Sequence, residues 1–157
     1  MLRLANPSSL LVRIVLIIIA LIVEFGGYIL RRVRFPEVRK ICLEAAAVGR
    51  RAATPKGLEL AARALLTSGN QLDSAGGSIK DIEKIYKESA EMGRQAATPE
   101  GWETTAMALA NLAGNLRTKS TRSPAEIARL DQEAKDAGRK SGTPAGLSIA
   151  REAEFWS

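Results

Sequence analysis

GRRAATPKGLE at residues 49–59, GRQAATPEGWE at 93–103 and GRKSGTPAGLS at 138–148 are one motif written three times, at spacings of 44 and 45 residues. Self-similarity at a fixed period marks a repeat architecture, in which no unit buries its apolar face alone and each covers its neighbour. The correspondence extends beyond the motif. Glu44, Glu88 and Glu133 share one position, Arg50, Arg94 and Arg139 another, and Thr-Pro-x-Gly recurs at Thr54, Thr98 and Thr143.

Each unit reads as a helical hairpin. The first helices carry apolar residues three and four apart: Val38, Ile41, Ala45 and Val48, then Ile82, Ile85, Ser89 and Met92, then Ile127, Leu130, Ala134 and Ala137. The second helices start at Thr-Pro, where the threonine hydroxyl caps free N–H groups and proline suits the first turn. Their apolar faces run through Leu58, Ala62 and Leu65, then Trp102, Ala106 and Leu109, then Leu147 and Ala150. Gly57, Gly101 and Gly146 weaken the first turn of each second helix, which predicts a close crossing against the preceding helix as compensation. Ser78 and Ser123 are expected to open the second and third hairpins, with linkers around 73–77 and 118–122. The expected fold is all-α, a small helical solenoid or six-helix bundle over residues 36–157, in units of about 36–77, 78–122 and 123–157.

Ahead of the repeats, after a short N-terminal segment 1–9, residues 10–30 read LLVRIVLIIIALIVEFGGYIL. As a helix this run spans about 32 Å, against a hydrocarbon core of about 30 Å, so a single transmembrane helix is expected. Bases follow the run instead of preceding it and no good cleavage site is visible, which argues against a secretory leader. Arg31, Arg32, Arg34, Arg39 and Lys40 lie after it, in the basic segment 31–40, and only Arg3 before it. The positive-inside rule then puts the N-terminus outside and the repeats in the cytoplasm, with Arg31, Arg32 and Arg34 meeting anionic lipid headgroups. Arg13, Ala20, Glu24 and Gly27 fall on one stripe of that helix, where charge and smallness together suit contact with a partner's membrane helix; snorkelling of the two charges to water is the alternative.

The net charge of +6 is an N-terminal property, because residues 1–40 hold seven bases against two acids. Bases crowded beside an apolar run do not make the basic stripe of a nucleic-acid-binding surface, so no nucleic acid is expected as partner. With no histidine and one cysteine, His-based triads, zinc-hydrolase sites and CxxC chemistry are excluded. The glycines form neither GxxxxGK[ST] nor GxGxxG, and no carboxylate spacing singles out a metal loop or an acid pair. No catalytic, cofactor or metal residues are therefore named, and Cys42 is expected to be a small buried hydrophobe.

The repeated Glu and Arg residues read as inter-repeat ion pairs, with a peptide-binding ladder as the alternative. Phe155 and Trp156 stand at the end of a short last helix, either as a lid over the third hairpin or as a docking anchor for a neighbouring subunit. The expected function is that of a non-enzymatic, single-pass accessory or scaffold subunit that helps assemble integral membrane protein subunits. The alternative is a membrane-tethered adaptor that recruits a soluble protein or peptide.

Overall fold

The computed structural model describes residues 35–119 and 122–156. Over these residues the chain forms α1 (Phe35–Ala52), α2 (Pro55–Ser74), α3 (Ile79–Ala96), α4 (Pro99–Lys119), α5 (Pro124–Ser141) and α6 (Pro144–Trp156), with no strand among them. The all-helical expectation holds, and the six helices pair as three hairpins. Among the described residues no helix is long and apolar enough to cross a membrane. Residues 10–30, with Arg13, Ala20, Glu24 and Gly27, lie outside the described residues, as do Arg31, Arg32 and Arg34.

The capping chemistry explains the hairpin boundaries. Thr54, Thr98 and Thr143 each accept a hydrogen bond at 3.0 Å from the N–H of the glycine three residues on. Ser78 and Ser123 do the same for Asp81 and Glu126 at 3.2 Å. The turn before each Thr-Pro needs one residue in the left-handed region, filled by Ala53, Ala97 and Gly142 at φ 50°, 54° and 66°. α2 and α4 run on to Ser74 and Lys119, so both inter-hairpin linkers begin later than composition suggests.

The glycine expectation holds in a reciprocal form. A Cβ on Gly49 would strike the carbonyl oxygen of Gly57, and a Cβ on Gly57 that of Gly49; Gly93 with Gly101 and Gly138 with Gly146 repeat the relationship. Each hairpin is thus clamped backbone to backbone where its two helices cross, which only glycine permits.

Each helix packs on the next along the chain, and the second helices α2, α4 and α6 also touch one another in a row. Two clusters form the core. One joins Val38, Cys42, Ala45, Leu60 and Leu65 of the first hairpin to Ile85 of the second, and the other joins Ile82, Tyr86, Leu109 and Leu112 to Leu130 of the third. Cys42 is buried in the first cluster, as expected, and burial pushes its thiol pKa up. Most of the expected core residues are buried or half-buried, but two are exposed. Ile41 is 40% exposed, although its counterparts Ile85 and Leu130 are 6% and 3% exposed, and Leu147 is likewise 40% exposed. The reason is positional: Ile85 and Leu130 each pack against the preceding hairpin, and no described hairpin precedes Ile41 or follows Leu147.

Candidate docking surface

The recurring charged residues meet between hairpins. Arg50 of α1 pairs with Glu88 of α3, and Arg94 of α3 donates to Glu133 of α5 at 2.7 Å. Both pairs are partly exposed, so their individual contributions are modest and their value lies in fixing the register of one hairpin on the next. The third arginine, Arg139, pairs with Glu154 of its own hairpin.

A second ladder runs beside the first. The Thr98 hydroxyl donates to Glu59 at 3.3 Å and the Thr143 hydroxyl donates to Glu103 at 2.6 Å. Thr98 and Thr143 therefore each accept from their own helix and donate to a carboxylate of the preceding hairpin. Glu59 is buried and also holds the Lys56 ammonium at 2.5 Å. The position that carries Glu59 and Glu103 is Ser148 in the third hairpin. Sequence reading passed over this ladder, although GLE, GWE and GLS in the three motifs carry its signal. A buried hydroxyl adds to the same interface, Ser89 donating to the carbonyl of Ala62 at 2.8 Å, and Lys140 lies 4.0 Å above the Trp102 ring.

Along the row of second helices the surface is cleft. A shallow cavity of about 420 Å³ lies between α2 and α4, lined by Asn70, Asp73, Tyr86, Asn111, Asn115 and Lys119, among others. Asn70 accepts from the Tyr86 hydroxyl at 2.8 Å and from Asn111 at 3.0 Å, while Asn115 donates to Asp73 at 3.0 Å and Lys119 pairs with Asp73. The Tyr86 ring lies against Gly69, where a Cβ would collide with it. Burial and the nearby Asp73 charge push the Tyr86 hydroxyl up to about 12. The Lys119 hydrogen bond holds the Asp73 carboxyl below its usual range.

A neighbouring cavity of about 310 Å³ lies between α4 and the third hairpin and shares Ala110, Asn111 and Gly114 with the first. Its polar lining includes Glu152 and Asp131, the latter accepting from Arg117 at 2.6 Å. Burial raises the Asp131 carboxyl despite that arginine. Gly114 sits between the two cavities, and a Cβ there would touch nothing. No periodic signal points to this groove, because Asn70 and Asp73 become Gly114 and Arg117 one unit later.

Among the described residues no group of three or more His, Cys, Asp or Glu side chains is placed to hold a metal ion. Phe155 and Trp156 lie in or at the end of α6, and their side chains are outside the described part. Comparison of the chain with protein families, with curated proteins and with solved structures gives no match.

Proposed function

We propose that this chain is a non-enzymatic, single-pass membrane accessory or scaffold subunit. Its segment 10–30 anchors it and its three hairpins dock onto integral membrane subunits. One observation carries the reading: the recurring charged and hydroxyl residues bond mainly between hairpins, at Arg50–Glu88, Arg94–Glu133, Glu59–Thr98 and Glu103–Thr143. A stack held in register in this way presents fixed end faces and two adjoining clefts, surfaces of the kind by which repeat proteins bind other proteins. In this reading Arg31, Arg32 and Arg34 contact anionic lipid, and the stripe of Arg13, Ala20, Glu24 and Gly27 faces a partner's membrane helix.

The adaptor reading draws on the groove. Asn115 is 8% exposed and donates twice, to Asp73 and to the Asn111 carbonyl, while its own carbonyl oxygen has no partner. Carboxamides supply both donor and acceptor, as an extended peptide main chain requires. The two readings separate in one comparison, the proteins retained after gentle detergent extraction by the full chain and by residues 35–157 alone. The scaffold reading expects integral membrane subunits that are lost with residues 1–34. A soluble client held equally by both forms supports the adaptor, and no retained protein with either form refutes both.

A further inference from the structure

The two ends of the stack are not finished in the same way. At the C-terminal end Arg139, whose counterparts reach into the next hairpin, is met by Glu154 and the carboxylate position of the second ladder is Ser148. The polar residues that would engage a following hairpin are thus satisfied within the third hairpin or replaced, although Leu147 stays 40% exposed there. At the N-terminal end they are neither. Glu44, the counterpart of Glu88 and Glu133, is largely exposed and among the described residues pairs with Lys40 alone, at 4.0 Å. Thr54 accepts its capping bond from Gly57, but its hydroxyl donates to no carboxylate among the described residues, whereas those of Thr98 and Thr143 do. Ile41 is exposed where Ile85 and Leu130 are covered.

We infer that this N-terminal end face is a docking site for a helical hairpin of another protein, one that carries an arginine and, nine residues on, a glutamate. The chain supplies the template twice. Arg50 and Glu59 of the first hairpin engage Glu88 and Thr98 of the second, and Arg94 and Glu103 of the second engage Glu133 and Thr143 of the third. In each case an apolar residue, Ile85 or Leu130, is buried against the hairpin that supplies the pair. A visiting hairpin with the same spacing would give Glu44 its guanidinium, Thr54 its carboxylate and Ile41 its cover. A second copy of this chain does not fit, since its first two hairpins spend their Arg–Glu pairs internally and its third has Arg139 on Glu154 and serine in place of glutamate. The inference rests on the scaffold reading and identifies the kind of subunit the stack receives.

The test places a benzophenone side chain at Ile41 of the full chain in intact cells and identifies the cross-linked peptide after irradiation. The expected product is a helical segment of another protein with the Arg-to-Glu spacing of nine. Its yield should fall about tenfold or more in Glu44→Lys. It should recover when the partner's arginine is reversed to Glu against Glu44→Arg. Unchanged thermal melting of Glu44→Lys excludes misfolding as the cause. A cross-link to residues 1–34 of the same chain, to a second copy, or to no protein overturns the inference, as does a yield indifferent to Glu44→Lys. If the inference fails while stoichiometric membrane subunits still co-purify, the scaffold reading stands without it. A cross-linked hairpin from a soluble protein keeps the end face and moves the function to the adaptor reading.

Discussion

Arg94 of the second hairpin donates to Glu133 of the third at 2.7 Å, reproducing one unit later the pairing of Arg50 with Glu88. Both partners are more than a third exposed, so solvent screens the attraction. A double-mutant cycle of Arg94→Ala and Glu133→Ala should return a coupling of no more than about 1 kcal/mol, shrinking with added salt. A much larger, salt-insensitive coupling would mean that the ladder is a principal source of stability and not a register device.

The glycine clamps should behave in the opposite way. In Gly93→Ala the new methyl meets the backbone of Gly101, which cannot swing aside, so the helices must part. Denaturant unfolding should show a loss of about 2–4 kcal/mol, within the range of severe overpacking. Gly114→Ala is the control: its methyl enters open space in mid-helix, and the variant should gain about 0.5–1 kcal/mol.

Ala53 and Ala97 hold left-handed backbone where the third hairpin has Gly142. An alanine there is strained by about 1 kcal/mol, and glycine relieves the strain. Ala97→Gly should therefore raise the melting temperature, whereas Gly142→Ala should lower it.

The carboxylates predict two opposite pH responses. Burial raises Asp131 in the folded chain, so its contribution is most favourable below the unfolded value of 3.8 and is lost as pH rises through the folded value. Asp131→Asn should gain on the parent chain as pH climbs from about 3. Asp73 is lowered by its hydrogen bond to Lys119, so its stabilisation is present above 3.8 and lost as pH falls through the folded value. Asp73→Asn should lose ground over the same climb. Urea melts of both variants at a series of pH values read the two slopes directly.

Much of the fold is legible because the repeat writes each signal three times. Thr-Pro-x-Gly fixes a cap, a helix start and a crossing point with local chemistry alone, and all three sites fold as that chemistry dictates. The Glu44, Glu88 and Glu133 set was readable as inter-hairpin pairing, and two of its three members pair in that way. What periodicity could not show was position along the stack. Ile41 and Ile85 are the same residue at the same place in the motif, yet among the described residues only Ile85 has a hairpin before it. The groove was invisible for the related reason that Asn70, Asp73, Tyr86 and Asn115 depart from the repeat, so only their three-dimensional meeting reveals them.

The proposed role, incorporation into a membrane assembly through the helical stack and segment 10–30, is open to direct test. The most direct measurement is the mass and composition of the intact particle that contains the full chain after gentle extraction, read by native mass spectrometry. The expected particle holds the chain in fixed stoichiometry with larger integral membrane subunits. A particle that contains the 16.9 kDa chain alone, with no other subunit in fixed ratio, would contradict the proposed role.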